Sequence, residues 1–333
     1  FGENEDQNVI KCGSYVGNGS STGPEINLGF EPQWIMLKRA TGTGGYWRMW
    51  DSMRGIVTGG VDATLYPNLS DDEYSSDDEI DLTSTGFKIK VGDTGFNGDG
   101  DTLIYMAIRR PDGYCGKPYG AGEGTSVFAM DVGNGTSTLP VFDSGFPVDL
   151  AWYKGVNTSS TGILQAARLI QGKYLQSNGT NAETSFSDFV FDSNVGWNKD
   201  GVTSAWQSWM WKRHAGFDVV AWEGNSVVGR QMPHNLSKTP EMFWVKMRTG
   251  GTNNWAVYHK GLNGGTNPQN YSLQLNTTAA ENSGEVWQYT APTSTHVTLS
   301  ADSRVNLNGR KYIAMLFASV DGISKVGSYS GPG

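Results

Sequence analysis

The sequence is poor in charged residues, in cysteine and in long apolar runs, and each shortage excludes a class of protein. Only 17% of its 333 residues are charged, against about a quarter in an average domain, which argues against a helical bundle or a coiled coil. The two cysteines, Cys12 and Cys115, are too few to hold a chain of this length in a disulfide framework. The longest apolar run, residues 312–320, is about half of a membrane-spanning helix, so we expect no membrane span.

The charge balance and the histidine spacing argue against nucleic-acid binding and against catalysis. The net charge is −8 at pH 7, and no basic stripe offsets it. The four histidines are 20, 25 and 37 residues apart, which fits no common metal-site spacing. No glycine-rich loop is followed by Lys-Ser or Lys-Thr, as a phosphate-binding loop requires. We therefore predict a protein that is not an enzyme and that requires no cofactor.

Glycine and aromatic residues are abundant, and their arrangement predicts β-structure. The chain has 45 glycines, 12 tryptophans, 14 tyrosines and 13 phenylalanines. Phe87, Ile89 and Val91 alternate with lysines, which is the period of a strand with one buried face. Many short segments of this kind, separated by turn residues, predict an all-β fold of β-sandwich units with jelly-roll or concanavalin-A-like architecture.

Three stretches of the chain repeat the same landmarks in the same order, which is typical of tandem modules. An aromatic segment ends each time in a lysine, at Lys38, Lys154 and Lys246. An Asn-containing turn precedes each final aromatic strand, at Asn97, Asn198 and Asn306. One tryptophan position is assigned to all three copies and predicted to lie in a core or an interface, at Trp34, Trp152 and Trp244.

These landmarks predict three tandem sandwiches, which we name repeats 1 to 3. Repeat 1 covers residues 1–110, a Gly/Pro-rich linker covers 111–124, repeat 2 covers 125–214 and repeat 3 covers 215–320. Residues 321–333 echo the opening strand of repeat 1, so they predict either the start of a further repeat or an exchanged strand. We expect residues 323–329 to contact a neighbouring module or subunit, and the chain to come from a longer array.

The order of the motifs resembles a repeated module of tailed-phage virion proteins of the marine-phage type. The motifs are GSYVGNGS at 13–20, GFEPQWIMLKR at 29–39, WRMWDSMRG at 47–55, GFKI at 86–89 and NGDGDTLIYMAIRRP at 97–111. Such modules are similar to concanavalin-A-like and laminin-G sandwiches. The resemblance implies a tail fibre, spike or surface decoration on the virion surface, with itself, other virion proteins and host-surface glycans as partners. The alternative is a secreted carbohydrate-binding lectin or a carbohydrate-active enzyme.

Four aromatic residues are candidates for glycan binding because they lie beside loops rich in Gly, Thr and Asn. An exposed indole can stack on a sugar ring while neighbouring amides bind its hydroxyls. The competing interpretation places the same rings in the sandwich core, where aromatics supply much of the buried area. The candidates are Trp47, Trp50, Trp255 and Tyr258.

Two acidic segments have calcium binding as an alternative interpretation. Residues 71–81 contain seven acidic side chains, which repel one another and favour a solvent-exposed mobile loop. Residues 97–101 alternate oxygen-bearing side chains in a way that suits Ca²⁺. A hairpin turn with glycine at positive φ accounts equally for the recurring turns and is the preferred interpretation there.

Overall fold

The chain forms two compact units. The computed structural model describes residues 9–41, 44–109, 126–136, 138–157, 162–199 and 205–329. The predicted linker at 111–124 and Cys115 lie outside these ranges. Unit 1 comprises Phe1–Gly113 with Arg168–Gln171, and unit 2 comprises Tyr114–Ala167 with Gly172–Gly333. Repeat 1 therefore lies in unit 1, and most of repeats 2 and 3 lies in unit 2.

Unit 1 is built of two antiparallel sheets with the core between them. Its elements are β1 (Ile10–Val16), β2 (Glu25–Asn27), β3 (Pro32–Arg39), β4 (Arg48–Asp51), β5 (Ile80–Thr83), β6 (Gly86–Ile89), α1 (Thr94–Asn97), β7 (Thr102–Arg109) and a 3₁₀ helix at Arg168–Ile170. The larger sheet has the order β1-β7-β3-β4 and the smaller the order β2-β6-β5. Phe87 of the smaller sheet meets Tyr105 of the larger edge to face at 5.7 Å.

Unit 2 is built of two six-stranded antiparallel sheets and two two-stranded sheets. Its strands are β8 (Phe128–Val132), β9 (Phe142–Asp143), β10 (Leu150–Gly155), β11 (Leu164–Ala167), β12 (Lys173–Gln176), β13 (Thr184–Ser185), β14 (Gly196–Trp197), β15 (Trp206–Trp211), β16 (Phe217–Glu223), β17 (Arg230–Pro233), β18 (Met242–Met247), β19 (Ala256–His259), β20 (Tyr271–Gln274), β21 (Asn282–Ser283), β22 (His296–Leu299) and β23 (Lys311–Phe317). Two 3₁₀ helices cover Leu262–Gly265 and Pro268–Asn270. The larger sheets have the orders β13-β12-β11-β10-β15-β8 and β16-β23-β18-β19-β20-β21, and the smaller ones pair β14 with β9 and β17 with β22.

The prediction of an all-β fold is confirmed. Almost every regular element of the described residues is a strand, all of the paired strands are antiparallel, and sheets pack face to face as in a sandwich. None of the helices formed by the described residues has the length and hydrophobicity that crossing a membrane requires.

The larger sheets of the three repeats share one strand order. In each sheet the first strand of the repeat pairs with the last, and the last pairs with the strand that carries the recurring lysine: β1-β7-β3, β8-β15-β10 and β16-β23-β18. The three lysines therefore lie on equivalent strands, as the repeat predicts. The boundaries between the repeats stay a prediction.

The assignment of one tryptophan to a shared position is wrong for repeat 1. Trp152 and Trp244 lie two residues before their lysines, whereas Trp34 lies four residues before Lys38. The counterpart of Trp152 and Trp244 is therefore Met36. All of these side chains still lie on the same face of their sheets, because residues i and i+2 of a strand point the same way.

The larger sheets of repeats 2 and 3 pack against each other inside unit 2. Their outer faces, meaning the faces turned away from the two-stranded sheets, meet at Trp152 and Trp244. The two half-buried indoles stack with ring centroids 5.5 Å apart and 28° between their planes. On the same face of repeat 3, Val219, Ile313 and Met315 have no exposed surface. Trp152 and Trp244 are therefore interface residues, as predicted.

The end of the described chain makes contacts within repeat 3. Ser324 makes one isolated bridge with Val320, and its Oγ donates to the backbone oxygen of Ala318 at 2.9 Å. The backbone N–H of Val326 donates to Ser319 Oγ at 3.0 Å. Ser324 and Val326 therefore pack on their own repeat, and the expected contact of residues 323–329 with a neighbouring module or subunit stays a prediction. Residues 330–333 lie outside the described ranges, so the start of a further repeat stays a prediction.

Candidate functional site

Three of the four aromatic residues predicted to bind glycans are buried. Trp50 and Trp255 have no exposed surface, and Tyr258 is 4% exposed. The indole N–H of Trp50 donates to Glu79 Oε2 at 3.1 Å, and that of Trp255 donates to the backbone oxygen of Gln176 at 3.0 Å. A ring with both faces packed cannot stack on a sugar from solvent. The expectation of an exposed stacking surface is therefore wrong for these three residues, whose rings fill the protein interior.

Trp47 is half-buried and lies beside a more exposed aromatic pair. Tyr46 is 50% exposed, and its ring meets that of Tyr66 nearly edge to face, with centroids 5.7 Å apart. The backbone N–H of Trp47 donates to Asn68 Oδ1 at 2.9 Å. We name Tyr46, Trp47, Tyr66 and Asn68 the aromatic patch. It combines accessible ring surface with an exposed amide, the two groups that sugar recognition requires.

Tyr66 and Asn68 were missed by the sequence analysis, although the repeat contains a signal for Asn68. Asn68 follows Trp47 by 21 residues, and Asn276 follows Trp255 by the same interval. In both copies the asparagine Oδ1 accepts from the backbone N–H of the tryptophan, at 2.9 and 3.0 Å. The tryptophan of this pair is buried in repeat 3, where it is Trp255, and half-buried in repeat 1, where it is Trp47.

Two of the three recurring lysines hold loops in place. Lys38 Nζ donates to the backbone oxygen of Gly45 at 2.6 Å, and Lys246 Nζ donates to that of Asn253 at 2.9 Å, seven residues downstream in both cases. Lys246 also donates to the backbone oxygen of Thr180 at 2.9 Å and has no exposed surface. Burial lowers its pKa to about 8. These contacts close the loop after the strand and account for the recurrence of lysine.

The recurring asparagines tie distant backbone segments together. Their side-chain oxygens accept backbone N–H groups at 3.0–3.1 Å; the pairs are Asn97 with Asn18, Asn198 with Val141, and Asn306 with Asn225. Asn97 and Asn306 have no exposed surface. This use of a buried amide, which satisfies polar backbone groups away from water, explains the Asn-containing turns. The nearby Asp101 forms an ion pair with Arg39 at 2.8 Å.

The acidic run at 71–81 is only partly a solvent-exposed loop. Its first residues are exposed, as expected, but Glu79 is 2% exposed and Asp81 is 8% exposed. Glu79 accepts hydrogen bonds from Arg48 and Trp50, and Asp81 lies 3.3 Å from Lys90 Nζ. The expectation of a mobile loop is therefore wrong for the end of the run, where cations from other strands neutralise the acids. Within the described ranges, no group of three or more His, Cys, Asp or Glu residues is arranged to hold a metal ion.

Three of the four histidines share one local arrangement. Their Nδ1 atoms accept the backbone N–H two residues downstream; the pairs are His214 with Gly216, His234 with Leu236, and His259 with Gly261. Only a neutral imidazole has a nitrogen that accepts a hydrogen bond. Burial lowers the pKa of His214 and that of His234 to about 4. These side chains are structural turn caps rather than general bases.

We expect unit 2 to lose stability on acidification from pH 7 to 5 because of these two histidines. Their folded pKa of about 4 lies below the ordinary value of about 6.5, so the unfolded chain binds more protons between these values and stability falls as the pH falls. The loss is about 2 kcal/mol per histidine at pH 5. Urea unfolding at several pH values, followed by tryptophan fluorescence, measures it. The double variant His214→Asn/His234→Asn keeps an acceptor oxygen and should show a flatter profile; an unchanged slope would contradict the assignment.

Unit 2 also carries two surface grooves. The first, of about 400 Å³, is mainly aromatic and is lined by Phe128, Trp211, Phe217 and Phe317 among others. The second, of about 340 Å³, is more polar and contains the predicted residue Tyr258 beside Lys260 and Glu241. Burial opposes ionisation of Glu241, but hydrogen bonds from Lys260 and Ser319 outweigh it and lower the pKa of that carboxyl. Glu241 and Lys260 of the second groove are thus paired with each other.

The fold and the hydrogen bonds of the recurring lysines and asparagines define an all-β protein whose larger sheets repeat one strand order. The chain belongs to the family described as Domain of unknown function (DUF7483), which matches residues 4–110 and 126–333. The gap between the two matched segments coincides with the predicted linker at 111–124. No curated protein and no solved structure matches the chain.

Proposed function

We propose that this chain is a structural protein of a phage virion, acting as a tail fibre, spike or surface decoration. The observation that carries the proposal is the use of its recurring polar residues. Lys38, Lys246, Asn97 and Asn306 all bind backbone atoms of their own unit. A module whose recurring polar side chains bind its own backbone and fix its loops is suited to be part of a stiff scaffold. The motif order, which resembles phage virion modules, supports placing that scaffold on a particle.

The proposed location is the virion surface, and the proposed partners are other copies of the chain and other virion proteins. Two larger sheets already pack against each other within unit 2 through Trp152 and Trp244. A fold that buries sheet faces between modules is well suited to assembly, because homo-oligomers commonly form by closed symmetric contacts. Host-surface glycans are the proposed ligands of the aromatic patch.

Immunogold electron microscopy tests the virion role. Antibodies raised against the purified chain are applied to intact phage particles from the source of the sequence, and the gold position is recorded. We expect gold on a tail, a fibre or the capsid surface. Unlabelled particles, together with free chain in the medium, would contradict the proposal and favour the secreted lectin or enzyme.

A glycan array tests the aromatic patch and separates the binding alternatives. The wild-type chain should bind a subset of glycans, and Tyr46→Ala should reduce that signal at least tenfold because the exposed ring face is lost. Tyr329→Ala is the matched control, since Tyr329 is an aromatic residue with 95% exposure elsewhere on the surface. Equal binding by wild type and Tyr46→Ala would contradict the patch. Release of reducing sugars from a bound glycan would identify an enzyme instead.

A further inference from the structure

The contact between repeats 2 and 3 has the character of a two-fold interface. Trp152 and Trp244 occupy the same position relative to the recurring lysine, and they stack on each other. In an isologous interface residue i of one side meets residue j of the other and j meets i, so only a residue next to the axis meets its own equivalent. The outer face of this module therefore pairs with another copy of the same face.

The pairing buries an apolar centre and carries polar links beside it. On the repeat 2 side, Leu150 is 1% exposed and Ala167 has no exposed surface. Beside them, Glu183 Oε2 lies 2.6 Å from Arg248 Nε. The ion pair is buried as well, with side chains 0% and 7% exposed, so apolar and charged groups both leave solvent at this contact.

The corresponding face of repeat 1 carries exposed and half-buried apolar side chains. Met36 is the counterpart of Trp152 and Trp244, and it pairs in register with Met106 of β7 as Trp244 pairs with Met315 of β23. Met315 has no exposed surface, whereas Ile104 on the β7 face is 42% exposed. Half-buried or exposed apolar side chains form most of this face: Ile10, Val16, Trp34, Met36, Ile104 and Ile108.

We propose that the outer face of repeat 1 is a self-association surface, occupied by the same face of a second copy of this chain. Repeats 2 and 3 pair their outer faces within unit 2, and the equivalent face of repeat 1 carries the exposed side chain of Ile104. A second copy supplies an identical face and closes the contact about a two-fold axis, with Met36 of one copy near Met36 of the other. The proposal rests on the self-association included in the proposed function and identifies the surface responsible.

The size of the face sets the expected affinity. Three strands of seven to eight residues and one of four, about 4.8 Å apart, give a face of at most roughly 20 by 25 Å. Two copies would bury on the order of 1,000 Å² in total, which is near the lower limit of specific interfaces. We therefore expect a dimer with a dissociation constant in the micromolar range.

Sedimentation velocity of the full chain, from about 1 to 100 µM, tests the proposal. Wild type should shift from monomer to dimer across this range, and Ile104→Lys should stay monomeric because it places a charge at the centre of the contact. Ile104 is already partly exposed, so the variant should fold normally, which circular dichroism and the melting temperature check. Val228→Lys is the matched control, since Val228 is an apolar residue with 60% exposure in repeat 3, and it should dimerise like wild type.

Alkylation of Cys12 provides a second readout. Cys12 is an exposed free thiol that lies opposite Met106 on this face. Its reaction rate with a maleimide, followed by peptide mass spectrometry, should fall as wild-type concentration rises and should not fall in Ile104→Lys. A wild-type monomer at every concentration, or a dimer that persists in Ile104→Lys, would overturn the proposal. Neither result alters the immunogold test, so this proposal can fail while the virion role stands.

Discussion

Replacing Trp197 by alanine is expected to destabilise unit 2 by about 3–5 kcal/mol, the usual cost of removing a fully buried large aromatic side chain. Trp197 has no exposed surface and is stacked between Phe142 and Phe191, with ring centroids at 5.3 and 5.4 Å. Its indole N–H donates to Ser208 Oγ at 2.9 Å. The substitution leaves a cavity between the two sheets, and Ser208 Oγ loses the N–H that it accepts while it still donates to the backbone oxygen of Trp152. Guanidinium unfolding measured by tryptophan fluorescence gives the change in free energy.

Two further variants show whether the cost comes from packing or from the hydrogen bond. Trp197→Phe keeps an aromatic ring and should lose clearly less stability than Trp197→Ala. Ser208→Ala removes the hydrogen-bond partner and should cost about 1 kcal/mol. Tyr329→Ala, at an exposed position, should change nothing. A loss below about 1 kcal/mol for Trp197→Ala would show that the ring does not support the core as described.

The fold class and the strand assignments could be predicted because they depend on local pattern. The alternation of Phe87 and Ile89 with lysine matches the buried and half-exposed positions of β6. Two of the recurring lysines, Lys38 and Lys246, each close a loop of their own repeat, seven residues downstream. Contacts between residues about seven positions apart can therefore be recognised from a recurring sequence pattern.

The position of the tryptophans is misassigned when residue type is matched instead of spacing. A shift of two residues along a strand keeps every side chain on its face, so Trp34 and Met36 fit the outer face equally well. Counting back from the recurring lysine identifies Met36 as the counterpart of Trp152, and the pairing of β3 with β7 agrees with that count. Alternation alone therefore indicates the face, and the spacing to the lysine indicates the position.

The exposure of the candidate site residues depends on contacts between distant segments. Trp255 is buried because its indole binds the backbone of Gln176, 79 residues earlier. Glu79 is buried because Arg48, 31 residues earlier, supplies a counter-charge. In the sequence, Trp255 lies beside a polar loop and Glu79 lies in an acidic run. Both of these contexts favour exposure to solvent. The partners that reverse this expectation come from other strands, which a local pattern does not specify.

The second large effect is expected at the Glu183–Arg248 pair, which joins the segment before β13 to the end of β18 in unit 2. The Arg248 side chain has no exposed surface, and its Nε lies 2.6 Å from Glu183 Oε2. The backbone N–H of Glu183 also donates to the backbone oxygen of Arg248 at 2.8 Å. Glu183→Ala removes the carboxylate and leaves a buried cation without it, which is expected to cost about 3–5 kcal/mol.

The sign and size of this effect distinguish a buried pair from a surface one. The double variant Glu183→Met/Arg248→Met replaces both charges by apolar side chains and should recover much of the loss, because the uncompensated charge rather than the missing attraction dominates the cost. Lys260→Ala breaks the more exposed pair with Glu241 and should cost less than about 1 kcal/mol.

Since Glu183 belongs to repeat 2 and Arg248 to repeat 3, Glu183→Ala should also broaden the denaturant transition of unit 2 as the two repeats lose cooperativity. A sharp transition with an unchanged midpoint would show that the sheet contact at Trp152 and Trp244 holds the repeats together without the ion pair.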